Sequence, residues 1–390
     1  MTEFPKPETF HDYQNWAALT DKGSGGGKPS FAALGLFGEA GSVLTEVKKK
    51  QRDTSTFAKH HKVVREEIGD ALWYLSTIAS RAGIRLDEVA QDAAAFFDPN
   101  FVSTPVRFGD FERVGLTINF EPSPSYTLAL RKLGAQTGAI VDEDIDKSSN
   151  DGLTALLAMA LHQLIDVSYE SGIPFIEAAH YNIEKTLSRW PTPEYRVFGT
   201  TFDREYPDYE KLPRRLEIDI FEVERSPGRY FVIQRIKSLN IGDRLTDNIL
   251  EADDYRFHDV FHYAYAANLH WSPVLRALLR VKRKSDPQID ETQDGARAIL
   301  IEEGIATYVF NFAKPDLFEN TRMGDLSYDL LKSIRAFVAG FEVEVCPPWL
   351  WEKAILEGFE AFRFLRDHRK GRVIMDIERR SLTIKPLPDS

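Results

Sequence analysis

Two stretches of this sequence carry acids at spacings that suit one face of a helix. In GEAGSVLTEVKKKQR, residues 38–52, Glu39 and Glu46 stand seven apart and share a face two turns apart, with Ser42 between them. In REEIGDALWYL, residues 65–75, Glu66, Glu67 and Asp70 crowd a single turn, and Leu72, Trp73 and Leu75 supply an apolar flank. Two helices that each offer carboxylates from one face can enclose an oxygen-rich cavity. Hard cations prefer such a cavity, Mg²⁺ first and Mn²⁺ as the alternative. A carboxylate in that cavity can also orient a water for attack, which makes Glu66 and Glu67 the candidate bases. Each helix taken alone would equally suit a solvated acidic face paired with nearby lysines. Glycines at 35, 38, 41 and 69 favour the cavity, because backbones can approach closely there.

Three further groups have chemical potential. In YNIEKTLSRWP, Asn182, Lys185 and Arg189 lie three and four apart along one face. An amide can read a base or sugar and two cations suit phosphate oxygens, although a basic helix end also complements the helix dipole by itself. In DDYRFHDVFHYAYAANLHWSP, His258 and His262 are one turn apart with Asp259 beside them, and Glu302 and Glu303 follow on another helix. Histidines at i and i+4 plus a carboxylate form a transition-metal set, a second candidate site; buried histidines satisfied by Glu302 or Asp254 are the plainer reading. The run RVKRKSDP offers Arg280, Lys282, Arg283 and Lys284 to a phosphate or to solvent. The glycines of DKGSGGGKPS do not make a phosphate loop. Lys22 stands where the first glycine is needed and Pro29 follows Lys28, so a flexible linker is expected.

The whole chain limits what these groups can serve. It has 390 residues, 43% hydrophobic and 12% aromatic, enough for two or three packed domains. A net charge of −11 argues against a general nucleic-acid surface. The single cysteine, Cys346, excludes an intrachain disulfide and suits a reducing compartment. The polar N-terminus and the lack of a run of about 18 apolar residues predict a cytoplasmic protein with no membrane partner.

Periodicity then sorts the chain into segments. Residues 1–30 read as a lead and linker, and 31–97 as helices with apolar residues three and four apart. Prolines at 99, 105, 122 and 124 mark 98–125 as a connector. Helices return over 126–191 in the same order as before. RAGIRLDEVA at 81–90 aligns with ESGIPFIEAA at 170–179, an internal duplication whose second copy has a loop about eight residues shorter. From 192 to 390 an α+β domain is expected. It would hold a hairpin from RRLEIDIFEVE and RYFVIQRIKS, helices from 254 to 366, and a strand pair in GRVIMDIERRSLTIKPL.

GLFGEAGSVLTEVKK followed by EEIGDALWYL resembles the MazG-like family of all-α nucleoside triphosphate pyrophosphohydrolases. The resemblance covers roughly residues 30–190 and implies tandem MazG-like four-helix-type repeats ahead of the α+β domain with its small antiparallel sheet. It implies Mg²⁺ held by an E-E-x-x-E helix and an E-x-x-D helix, and cleavage between the α- and β-phosphates. Glu39 matches the second acid of the first motif, Gly38 and Ser42 replace its neighbours, and Glu67 and Asp70 match the second motif. Glu46 would reach back for the acid that Ser42 lacks. Asn182, Lys185 and Arg189 resemble the family's nucleotide-binding N-x-x-K and R-[YW]-P ending, and Trp73 is added as a substrate contact. The second copy has Gln136, Ala139 and Met159 at the positions of Glu39, Ser42 and Asp70, whereas the first copy lacks the N-x-x-K ending. The two copies should therefore act as a fused dimer, one giving metal ligands and the other nucleotide contacts. The family's habit of assembly also implies a homo-oligomer, a dimer in the simplest case. Two other functions fit the same residues: a nucleotide-binding regulator, or a metal-dependent hydrolase that uses the C-terminal His/Glu cluster.

Overall fold

A computed structural model describes residues 3–52, 60–112 and 123–387. The chain divides into two compact units, Thr2–Val197 and Phe198–Ser390. The structure is mainly helical, with one small antiparallel sheet in the second unit.

The first unit contains α1 (Phe10–Ala18), α2 (Pro29–Arg52), α3 (His60–Arg81), α4 (Leu86–Ala95), α5 (Pro124–Asp142), α6 (Asn150–Glu170) and α7 (Phe175–Arg189). The long helices α3 and α6 stop the same way. Gly83 and Gly172 take left-handed φ values of +72° and +69°. The next amide then bonds back into the last turn, Ile84 to Ala79 at 2.8 Å and Ile173 to Ser168 at 3.0 Å. The aligned decapeptides thus form the same turn twice.

Packing exchanges partners between the two copies. α2 pairs with α3, and α5 with α6, but α4 packs on α6 while α7 packs on α3, and α2 meets α5. When element i of one copy meets element j of the other and the reverse also holds, the arrangement is that of a two-fold dimer, here within one chain. One apolar core, from Phe10 to Leu187, runs through both copies.

Several sequence expectations need correction. The described part of the expected lead, residues 3–30, is not loose: Thr9 caps α1, and its Phe10, Tyr13 and Ala17 are buried in the core. The polar look of this segment hid a helix with only one buried face. The glycine run is a short 3₁₀ turn, Ser24–Gly27, tied down by Arg81, which bonds Asp21 and donates to the Ser24 and Lys28 carbonyls. Part of the expected connector is core as well, since Phe108 stacks on Phe10 with ring centroids 4.3 Å apart; Pro122 lies outside the described residues. The second unit begins at 198 rather than 192, because Tyr195 packs against Phe4 and Trp16. By length and composition α6 could cross a membrane, yet 56% of its most apolar window is buried inside the fold.

The second unit starts with a meander, β1 (Arg215–Ser226), β2 (Arg229–Ile236) and β3 (Leu239–Leu245). Helices α8 (Asp259–Leu269), α9 (Pro273–Leu279), α10 (Pro287–Thr292), α11 (Ala296–Phe312), α12 (Tyr328–Phe337) and α13 (Pro348–His368) follow, then β4 (Lys370–Asp376) and β5 (Ser381–Lys385). The strand order is β3-β2-β1-β4-β5, all antiparallel. The hairpin and the closing strand pair match the sequence pattern. β3 is an addition: its residues are mostly exposed, so no apolar alternation marks it. Helix α8 is buried almost all round, between α13 and the sheet.

Candidate functional site

The carboxylates of the first unit meet where α2, α3 and α7 come together. α3 buries Val64, Ile68, Ala71, Leu72 and Leu75, which turns Glu66, Glu67 and Asp70 toward its neighbours. Glu39 of α2 faces them, and one oxygen from each of Glu39, Glu67 and Asp70 lies within 4.8 Å of the others. From α7, Asn182 Nδ2 donates to Asp70 Oδ1 at 2.9 Å. Lys185 Nζ donates to Glu66 Oε1 at 3.1 Å and makes a short ion pair with Asp70. The cluster is thus built from both copies of the repeat.

Close backbone approach makes this meeting feasible. A Cβ on Gly69 would stand 2.7 Å from the Ala178 carbonyl oxygen and 2.9 Å from Asn182 Cβ, so only glycine lets α7 sit this near Asp70. Gly35 does the same for Tyr74, whose ring carbon would be 2.1 Å from an added Cβ. Gly38 and Gly41, by contrast, face open space and allow no close contact.

Charge crowding shows in the ionisation of the group. Burial pushes the Glu39 carboxyl up to about 8, helped by the Asp70 charge, a hydrogen bond with Glu67 and the Glu67 charge, while Lys185 partly opposes. Burial also raises Asp70, against the pull of Lys185 and Asn182. Among the described residues four acids face one ammonium, and a proton held on Glu39 can bridge to Glu67. Such a donor set, all oxygen and with excess negative charge, fits a hard divalent cation in place of that proton.

Other expected participants are placed elsewhere. Glu46 does not join the three acids; seven residues carry it about 10 Å along the helix from Glu39, and its carboxylate pairs with Lys49 at 2.5 Å. Arg189 is only 1% exposed, with its guanidinium 5.3 Å from the Trp190 ring centre. Trp73 gives its indole N–H to Thr20 Oγ1 at 2.9 Å and packs edge-on against Tyr74. Tyr13 is a participant that the sequence reading missed. Its buried hydroxyl donates to Asn182 Oδ1 at 2.9 Å, which fixes which end of that amide meets Asp70. The only signal was an aromatic residue on a short amphipathic segment, Phe10 to Ala17.

The second unit brings His258, His262 and Glu303 together, again with one ligand atom each within 4.8 Å. Glu302 is fully buried and accepts from His262 Nδ1 at 2.9 Å. Asp259 Oδ1 is 3.2 Å from His258 Nε2. Burial alone would lower His262, but Glu302 and Glu303 outweigh it and hold the ring above its ordinary value. Burial pushes His258 down. In the basic run, Arg283 is buried and held by Asp294 and Glu342, whereas Arg280, Lys282 and Lys284 line a shallow surface pocket with Asp290.

Comparison with known proteins bears mainly on the second unit. Residues 198–388 match the family model described as the MazG C-terminal domain. The chain is also similar to the Gene 37 protein of Mycobacterium phage L5, 31% identical over 64 residues, which are 16% of this chain and 56% of that protein. The chain therefore spans little more than half the length of that relative. No solved structure matches. The second unit is thus like a MazG C-terminal domain, the half of the chain for which the sequence resemblance assigned no chemistry.

Proposed function

We propose that the first unit is a Mg²⁺-dependent nucleoside triphosphate pyrophosphohydrolase that releases a nucleoside monophosphate and pyrophosphate. The observation that carries this reading is the convergence of Glu39, Glu67 and Asp70 with Lys185 and Asn182 from the other repeat. The match of residues 198–388 to the MazG C-terminal domain supports a nucleotide pyrophosphatase-type activity in general.

In this reading Glu39, Glu67 and Asp70 hold the cation. Bound there, Mg²⁺ would supply charge neutralisation for the triphosphate. Glu66 stands outside the metal-binding trio, and its contact with Lys185 orients it; it is assigned to position the attacking water. Lys185 Nζ reaches both acids from α7 and is assigned to the phosphate oxygens. Asn182, held by Tyr13, keeps Asp70 aligned. Water adds to the α-phosphorus, the α–β bridging bond breaks, pyrophosphate leaves, and the proton from water passes to Glu66.

A panel of NTPs and dNTPs assayed for pyrophosphate, with Mg²⁺ and with chelator, tests the proposal. Mg²⁺-dependent release that Asp70→Asn abolishes is the expected result. Tight nucleotide binding without turnover would instead favour a regulator, a reading in which Lys185 permanently neutralises Asp70 and Glu66.

A further inference from the structure

The second unit contains a cluster for which the proposed hydrolysis has no use. His258 Nε2 and His262 Nε2 lie 3.8 and 3.5 Å from the same oxygen, Glu303 Oε2. Two donors about 2.1 Å from one tetrahedral ion stand about 3.4 Å apart, close to these separations.

Both rings are turned by their other nitrogen. His262 Nδ1 is 2.9 Å from Glu302 Oε1, and His258 Nδ1 is 2.8 Å from the Tyr255 carbonyl oxygen. A carboxylate and a carbonyl only accept, so each Nδ1 carries a proton and each ring directs its Nε2 inward. Glu302 is itself fixed, accepting from Ser272 Oγ at 2.6 Å and the Val274 amide at 2.8 Å. His258 is further held by stacking on Tyr255, with centroids 4.2 Å apart and planes 2° from parallel. Carboxylate or carbonyl partners on the outer nitrogen are what orient histidines toward a metal.

The inner nitrogen of His262 is otherwise unexplained. His262 is 1% exposed, and its Nε2 is buried with no hydrogen-bond partner among the described residues. Its 3.5 Å separation from Glu303 exceeds the about 3.2 Å limit of an ordinary N–H···O bond. Two imidazole nitrogens and a carboxylate facing one point are stabilised by a positive charge between them, a proton or a metal ion.

We infer that His258, His262 and Glu303 form a binding site for a divalent transition-metal ion of the Zn²⁺ or Fe²⁺ class. Two imidazoles and one carboxylate select that class over Mg²⁺. The Glu303 side chain is 40% exposed against 2% for His262, so the site opens toward solvent on one side. Three protein ligands with an open side are the arrangement of a catalytic ion rather than a structural one. Asp259 flanks the opening and is braced by Gln234, which in turn accepts from Tyr263.

Titration of metal-stripped full-length protein with Co²⁺ in excess Mg²⁺ tests this, because Mg²⁺ fills oxygen-only sites. The expected result is one equivalent of Co²⁺ with visible d–d absorption, displaced by Zn²⁺. Glu303→Gln, a partly exposed position, should weaken Co²⁺ binding by about tenfold or more, and Glu39→Gln should leave it unchanged. In wild-type protein, Co²⁺ should also shift the ring protons of two buried histidines, which needs no variant to fold. Absence of Co²⁺ binding under excess Mg²⁺, equal affinity in Glu303→Gln, or unshifted buried histidines would each overturn the assignment.

Discussion

Gly69→Ala is the sharpest single perturbation of the first unit. The added Cβ would stand 2.7 Å from the Ala178 carbonyl oxygen, and ordinary contact begins at 3.4 Å. Backbone cannot swing aside as a side chain can, so α3 and α7 must part by about 0.7 Å. Alanine improves helix propensity by about 1 kcal/mol, and overpacking costs about 1–3 kcal/mol. The net is a loss of about 0–2 kcal/mol, a fall of a few degrees in Tm. Activity should suffer more. Asn182 and Lys185 ride on α7, and a displacement approaching 1 Å at a reacting centre costs up to about 100-fold in rate. Thermal melting and pyrophosphate release measured on the same preparation would separate the two effects. A variant as stable and as active as wild type would refute the claim that the close approach at Gly69 sets the site.

Other perturbations act on the charges and their supports. Lys185→Met removes the only ammonium described between Asp70 and Glu66; in chelator it should cost about 3 kcal/mol, and Mg²⁺ should restore much of the loss in a melting assay. Glu39 has a folded pKa of about 8 against an ordinary 4.5, so the folded state holds the extra proton between those values. Stability from this group is fully present below about pH 4.5 and is lost as pH rises toward about 8. Tm in chelator should therefore fall across that window, and Glu39→Gln should flatten the slope. Tyr13→Phe leaves the Asn182 oxygen buried without its donor, costing about 1–3 kcal/mol. It should also raise KM for the triphosphate, which Tm alone would not show.

Local pattern made much of this molecule legible. Glu67 and Asp70 at i and i+3, the i, i+4 histidines and the repeated glycine turn all follow from helical geometry, so their shared faces could be read directly. The alignment of 81–90 with 170–179 paired each missing group in one copy with its counterpart in the other, which put Asn182 and Asp70 in one hypothesis. Features that depend on long-range packing stayed hidden. Tyr13 reaches Asn182 across 169 positions of sequence, and nothing local to either residue marks that bond. Glu46 misled for the opposite reason: its spacing from Glu39 is right for the face, but the other acids sit at the level of Glu39 alone. Arg189 shares the face of Lys185 in projection, yet it lies a turn further on, at the last residue of α7, and is buried there. The edge strand β3 lacked alternation because neither of its faces is well covered.

The central claim is that acids from one repeat and a cation from the other together cut a triphosphate between its α- and β-phosphates. Phosphorus NMR of a nucleoside triphosphate incubated with wild type and with Asp70→Asn in Mg²⁺ tests it most directly. The account predicts monophosphate and pyrophosphate in equal amounts from wild type and no turnover by the variant. Diphosphate with inorganic phosphate, or unchanged turnover by Asp70→Asn, would contradict it.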